Sequence, residues 1–592
     1  MLGIMNLILS KKSKNFNILY SVVFLSNALS KDRKSQLLIT IFVNIFASLS
    51  EMLMLALVIP FLNLLINPDS LKNTIFFKDY IINNNINEPI SLITPLTLIF
   101  IVVIIIATSV RIYCLNLTLR SASDVSIDIS SKLYNNILNQ TFEEHIKVNS
   151  ANEIAYLTSY LTKLLNSIIA FLTIFSSGLN CLTIIVLLLF VNSIATSFSI
   201  LSIILIYLLI SKNLSNKLVN YGKIVGTNSK LKVKYLQEGL NSIRDIILDN
   251  SYSIFLRKFR NTETLIRKNA IKIKFSQGFT KPAIEGLIYI FIAAFSCITI
   301  ISTDNSTGLL AFLGVFGVGA KRLIPNIQKV YDSSVILKSN SPQVSKIIEL
   351  LHAKKKTDIN KIKINHNFFS REIRFENVFF KYSTSEDYVL EDINFQIRKG
   401  EKIGLVGKTG SGKSTLLDIL MTFLSPSSGN IYLDGKSILN SKTRFYSWRA
   451  LIAHVPQNIF LFDTTIEENI TMLSTSEINS KKLKRCLDAS QLNNLISNSS
   501  NGIKTKIGER GKLLSGGEIQ RIAIARALYR DSKVLIFDEA TSALDKQTEK
   551  DIMESINYFD KDITIISVAH RISSLSNFDR IYKIANKNLK KI

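Results

Sequence analysis

EKIGLVGKTGSGKSTLLDIL, residues 401–420, changes character halfway along. An apolar strand-like run ends at Gly407, a glycine-rich turn follows, and a helix pattern begins near Ser414. Residues 407–414, GKTGSGKS, fit G-x-x-x-x-G-K-[ST] in the strand–loop–helix order that this motif needs. Glycines let backbone N–H groups close around phosphate oxygens. Lys413 adds charge to the same oxygens, and the Ser414 hydroxyl suits Mg²⁺. The candidate phosphate-binding residues are therefore Gly407, Lys408, Thr409, Gly410, Ser411, Gly412, Lys413, Ser414 and Thr415. A glycine-rich stretch alone would be no more than a turn; the GKS ending and its context set this one apart.

Around this loop, from about residue 371 onward, short β-type runs alternate with helices, as in a soluble α/β domain. VLIFDEA, 534–540, is an apolar strand ending in two carboxylates. Asp538 suits Mg²⁺, directly or through water, and Glu539 is placed to polarise an attacking water. Ion-paired acids at a strand end are the plain alternative.

The first 370 residues differ. The chain of 592 residues is 47% hydrophobic yet carries a formal charge of +26. Residues 371–592 account for only +7 of that, and the apolar part holds +19. Nucleic-acid binding is the other usual reading of such basicity, but charge concentrated beside apolar runs favours a membrane protein with cationic cytosolic flanks. Spans of near membrane length fall at about 37–65, 92–114, 168–190, 193–210, 282–302 and 308–328, with two long polar helical insertions. The insertion 211–281 carries 15 Lys/Arg against four acidic residues, so it is expected on the cytosolic side, and both termini with it. The expected organisation is a six-span helical transmembrane domain over 1–328, a linker over 329–370 and an α/β P-loop domain over 371–592. The four cysteines lie apart without CxxC spacing, and His145, His352, His366 and His454 have no paired ligands, so no metal cluster is indicated. Trp448 reads as packing.

LLSGGEIQRIAIARAL, 513–528, makes the reading specific. SGG followed by QR, just ahead of DEATSALD, resembles the signature of ATP-binding-cassette ATPases, and six spans before one cassette resemble the half-size exporters of that family. The resemblance implies ATP and Mg²⁺ as cofactors and two cassettes facing head to tail. It further implies that Ser515, Gly516, Gly517 and Glu518 cap the γ-phosphate held by the opposite cassette. It assigns adenine stacking to Tyr382, Mg²⁺ sensing to Gln457, communication between the two sites to Asp545, and γ-phosphate contact to His570. With Glu539, His570 completes the catalytic pair. Ser414, Gln457 and Asp538 form the Mg²⁺ set. Glu518 stands where glutamine is commoner in the family. Half-size chains of this kind pair with a second copy, a homodimer or heterodimer, and the coupling segments would lie near 140–152 and 238–247.

Two shorter stretches bear on cargo. SLSEMLMLALVIPF in the first span and KRLIPNIQKV in the sixth resemble flippases that move lipid-linked oligosaccharides across the bacterial inner membrane. By helix rise, Lys321 lies about 20 Å into the bilayer from outside, and Glu285 reaches a similar level from the cytosol. Lys321, Arg322, Glu285 and Glu51 are the candidate cavity residues, with a Glu285–Arg322 ion pair or snorkelling of Lys321 to the cytosolic interface as the plain expectation and Arg111 as a boundary charge. The expected partners are the membrane and an amphiphilic, anionic, lipid-linked substrate, with no nucleic acid. Export of lipid A, drugs or peptides stays open, as does an ATP-gated channel or receptor.

Overall fold

The computed structural model describes residues 29–66, 93–191, 193–286, 289–290, 293, 297, 306–352, 364, 368–382, 385–472, 478–539, 545–559, 562–569 and 575–592. The chain divides into two units: Met1–Gln140 with His145–Lys355, and Thr141–Glu144 with Lys356–Ile592.

The first unit is helical. Its elements are α1 (Lys31–Ile66), α2 (Ile93–Leu138), α4 (Ser150–Ala155), α5 (Leu161–Val191), α6 (Ser193–Asn241), α7 (Ile243–Leu248), α8 (Tyr252–Gly278) and α9 (Ser306–His352), while α3 (Phe142–Lys147) is divided between the two units after Glu144. A π-helical turn, Tyr156–Tyr160, joins α4 to α5. Among the described residues, three stretches are long and apolar enough to cross a membrane: Lys31–Leu57, Thr97–Leu138 and Ser150–Phe190. Most of the expected fifth span lies outside the described residues.

The helices are far longer than the membrane, and two features tie them together. Val125, Ile129, Leu133, Leu164, Val344, Ile347 and Ile348 form a buried cluster shared by α2, α5 and α9. That cluster explains one difference from the sequence reading. Residues 329–352, expected as linker, continue α9, because Val344, Ile347 and Ile348 recur at helical spacing and bury there. The second feature is a close crossing of α6 and α9. A Cβ on Gly222 would stand 1.7 Å from the Ser339 carbonyl oxygen, and one on Gly226 2.4 Å from Gln343 Nε2. Gln343 Nε2 donates to the Gly222 carbonyl at 2.6 Å across the same contact.

The second unit holds two sheets. An antiparallel one has the order β2-β1-β4-β5, from β1 (Glu372–Phe380), β2 (Leu390–Arg398), β4 (Ser428–Leu433) and β5 (Lys436–Ser437). The other has the order β10-β9-β3-β8-β7-β6. It comprises β3 (Lys402–Gly407), β6 (Ile452–Val455), β7 (Val534–Asp538), β8 (Thr564–Val568), β9 (Arg580–Ala585) and β10 (Asn588–Lys591). All but β10 run parallel, and β3, β6, β7 and β8 bury most of their residues, as expected of a sheet covered on both faces. Helices used below are α10 (Lys413–Leu420), α11 (Lys442–Ala450), α12 (Ile466–Ile470), α13 (Ser480–Ala489), α14 (Asn493–Ser497), α15 (Gly516–Tyr529) and α16 (Lys546–Phe559). Trp448 is fully buried on α11, its Nε1 donating to the Leu420 carbonyl at 2.7 Å, so its packing role is confirmed.

Candidate functional site

β3 and β7 both flank β8 and end on the same edge of the sheet, with Leu405 and Asp538 registered to Val568. Ligand sites of open parallel sheets form beyond these carboxyl ends. The loop after β3 stays folded through two glycines in the left-handed region, Gly410 at φ +79° and Gly412 at φ +99°. Gly407 must also lack a side chain, since a Cβ there would meet Ser411 Oγ at 2.6 Å and the Ile584 carbonyl at 2.8 Å. Lys413 is buried and donates to the carbonyls of Gly407 at 2.9 Å and Lys408 at 3.1 Å, so its ammonium lies inside the loop. Ser411 Oγ is buried without a partner among the described residues. Lys408, Thr409, Gly410 and Ser414 line the open side of the loop. Thr415, one turn into α10, shares a 3.1 Å hydrogen bond with the Tyr382 hydroxyl, which fixes that ring beside the loop.

The two strand-end acids differ. Asp538 is held above the usual carboxylate range by burial first and by the Glu539 charge second, with Lys413 opposing both. Glu539 sits at φ 52°, an unusual backbone for a non-glycine residue and one often retained at functional sites. It accepts a 2.6 Å hydrogen bond from Gln457 Nε2, so the glutamine two residues past β6 reaches the acid one residue past β7. Phosphate loop, Asp538, Glu539 and Gln457 therefore converge.

Other expected residues do not join them. Ser515 caps α15: its hydroxyl and backbone N–H meet the Glu518 carboxylate at 2.8 and 2.7 Å, a reciprocal capping box. Glu518 in place of glutamine is thus well used locally. Gly516 and Gly517 open the same helix, and the side-chain hydrogen bonds of this turn stay within it among the described residues. Asp545 is exposed and holds the start of α16, accepting from Thr548 N at 3.0 Å and Thr548 Oγ1 at 2.6 Å. His570 lies outside the described residues.

Sequence reasoning did not single out Asp418 and read His454 only as lacking paired ligands; both are half-buried. Asp418, on α10, is pushed up to about 6 by burial and then by the Asp538 charge. His454, on β6, is pushed down to about 4 by burial, and its Nε2 has no partner among the described residues.

In the first unit, Arg322 Nη1 lies 3.2 Å from Glu51 Oε1, which corrects the expected Glu285–Arg322 pair. Arg111 Nη1 reaches the same oxygen at 3.5 Å. Glu51 is 7% exposed and is the buried counter-ion of both guanidiniums. Lys321 is exposed and Glu285 half-buried, and neither forms an ion pair among the described residues. Ile112, Tyr113, Leu115 and Leu119 are exposed on the turns of α2 that follow Arg111.

A strand-end phosphate loop beside paired acids, preceded by membrane-length helices, defines a membrane-embedded cassette ATPase by fold. Comparison with known proteins agrees. Residues 390–542 match the family described as ABC transporter, and residues 37–318 match the ABC transporter transmembrane region. The multidrug resistance-like ATP-binding protein MdlA of Buchnera aphidicola is 31% identical over 537 residues, 84% of this chain and 86% of that protein. The heterocyst differentiation ATP-binding protein HepA of Nostoc is 34% identical over 396 residues, 66% of this chain. An ATP-dependent lipid A-core flippase of Photorhabdus laumondii is 30% identical over 381 residues, 64% of this chain. The chain spans 63% of the length of each of the last two. The solved structure of a bacterial Atm1-family ABC exporter with ATP bound shares the fold, with a TM-score of 0.75, 20% identity and 95% of both chains covered. The chain belongs to the ABC transporter family, as a half-transporter with one transmembrane region and one ATP-binding domain.

Proposed function

We propose that the protein is an ATP-hydrolysing exporter of the bacterial inner membrane that flips an amphiphilic, anionic, lipid-linked oligosaccharide or related glycolipid. Both termini are cytosolic in this reading, and two copies pair so that Ser515, Gly516, Gly517 and Glu518 of one face the phosphate loop of the other. The observation that carries the ATPase reading is the convergence of Lys413, Asp538, Glu539 and Gln457 on one sheet edge.

The residues present fit Mg²⁺: Ser414 and Asp538 offer hard oxygen donors beside the loop, with the amide oxygen of Gln457 next to Glu539. Bound there, the ion would neutralise phosphate charge and orient the terminal phosphoryl group. The remaining steps belong to the chain. Lys413 turns from the carbonyls of Gly407 and Lys408 to phosphate oxygens. Tyr382 stacks on adenine. Gln457 releases Glu539, whose carboxylate takes the proton of the attacking water, His570 contacts the γ-phosphate, and Asp545 links the two ATP sites. Closure of paired cassettes would then be passed to the spans as alternating access.

For cargo, Arg111, Arg322 and Lys321 against Glu51 leave an excess of cation inside the bilayer, which suits a phosphate-bearing headgroup. Lipid A is the second reading, favoured by the printed function of the flippase relatives. Proteoliposomes test both. Polyprenyl-pyrophosphate glycan should stimulate ATPase and cross the bilayer, while lipid A and hydrophobic drugs should not. Stimulation by lipid A alone overturns the oligosaccharide reading.

A further inference from the structure

We infer that the Glu51 carboxylate is a resident stand-in for the phosphate of the cargo, and that cargo binding displaces it from Arg111 and Arg322. The inference rests on the anionic-lipid reading above and adds an internal competitor for the same cations.

The geometry is unusual for a structural ion pair. Two guanidiniums, one from α2 and one from α9, approach a single oxygen of one carboxylate on α1, at 3.5 and 3.2 Å. One negative charge cannot neutralise both. Each guanidinium carries five N–H donors, and these contacts use few of them. The carboxylate is nearly sealed, its side chain 9% exposed, whereas the side chains of Arg111 and Arg322 are 51% and 36% exposed. The acid is therefore inside and the unspent donors face outward, where a second anion can reach them. A phosphate or pyrophosphate brings more oxygens and more charge than a carboxylate, and guanidinium pairs bind it in bidentate fashion.

Depth identifies the source of that anion as a lipid headgroup. Leu38, Phe42, Phe46, Leu49 and Leu53 form an outward apolar face along α1 from the cytosolic side to beyond Glu51. The cluster thus lies within the bilayer, in reach of a headgroup drawn in between the helices. Once displaced, Glu51 has no guanidinium left, and its carboxyl is open to a carboxyl-directed reagent.

That last step gives a test on the unaltered protein. Dicyclohexylcarbodiimide modifies protonated carboxyls in apolar surroundings and spares those held in ion pairs. In phosphatidylcholine nanodiscs, labelling of Glu51, read by mass spectrometry of its peptide, should rise several-fold on adding undecaprenyl pyrophosphate. It should stay flat with undecaprenol, which lacks the phosphate. An equal rise with inorganic pyrophosphate would overturn the lipid-headgroup source. Labelling that stays flat or falls while undecaprenyl pyrophosphate still stimulates ATPase overturns the inference and leaves the cargo reading standing. Flat labelling with no stimulation overturns both. As an independent check, Glu51→Gln should lower the half-stimulating concentration of undecaprenyl pyrophosphate several-fold, and Arg111→Gln should raise it. An unchanged value in Glu51→Gln protein contradicts the exchange.

Discussion

In the second unit, the polar groups of the site come from strand ends and from runs of consecutive residues, such as Gly407 to Thr415. In the first unit they come from helices far apart in sequence and meet along a seam. Arg33 on α1 meets Asp124 and Asp128 on α2, each at 3.0 Å. Thr40 shares a 2.7 Å hydrogen bond with Ser121, and Asn44 takes one of 3.1 Å from Cys114 Sγ. Glu51 closes the series on Arg111. As residue number rises along α1 it falls along α2, the register of an antiparallel pair. The sheet edge thus concentrates chemistry in one spot, and the seam spreads modest contacts over the length of two helices. Losing one residue should accordingly be drastic in the first case and graded in the second.

The sharpest way to break that contrast is Glu539→Gln. Removing a general base should cut ATP turnover about 10²–10⁴-fold while ATP binding persists, checked by ATPase rate and nucleotide affinity. Retained turnover would move the base elsewhere and remove the reason for the Gln457 contact.

How far each region can be read from sequence follows from the same contrast. The phosphate loop, Asp538 and Glu539 were legible because consecutive residues and a strand end carry them, whereas Gln457 was reached only through the family resemblance. Helices α1 and α2 were legible from apolar length alone. The Glu51–Arg322 pair was not, because its partners are 271 residues apart and depth arithmetic ignores which face of a helix a side chain leaves. The continuation of α9 past residue 328 was hidden because its buried side depends on Val125, Ile129 and Leu164 from other helices.

The next largest effect is steric. Gly222→Ala places a methyl carbon 1.7 Å from a backbone oxygen, which no rotamer can relieve, so α6 and α9 must separate. A loss of about 3 kcal/mol, at the upper end of overpacking costs, is expected in thermal unfolding of the detergent-solubilised protein. Gly178→Ala is the control on α5. Nothing lies within 4 Å of its Cβ position, and the change should be neutral or stabilising by about 0.5–1 kcal/mol.

Asp418 gives a pH-dependent test within the second unit. Its folded value, about 6, stands above that of an unfolded aspartate, so burial favours the protonated form. Its contribution to stability is full below the unfolded value and is lost as pH rises toward and through about 6. Asp418→Asn should flatten that part of the stability–pH curve and raise the unfolding temperature near neutral pH. A curve as steep as that of the parent would mean that the carboxylate is better solvated than its surroundings indicate. His454 acts in the opposite sense. Held near 4 by burial, it stabilises the neutral-pH fold and withdraws that support as pH falls from the ordinary histidine value toward 4.

The smallest expected effect tests the seam itself. Thr40→Val keeps shape but removes the hydroxyl that meets Ser121 at 2.7 Å and also donates to the Gln36 carbonyl at 2.8 Å. Side-chain hydrogen bonds between membrane helices average about 0.6 kcal/mol, because each partner finds substitutes when its mate is gone. The single variant should therefore lose about that much, and Thr40→Val with Ser121→Ala should lose less than the two singles together, since both remove one contact. Strict additivity would show that Thr40 serves α1 alone through Gln36. A loss of several kcal/mol would show that the seam fails as a unit, and the distinction between a concentrated site in one unit and graded contacts in the other would no longer hold.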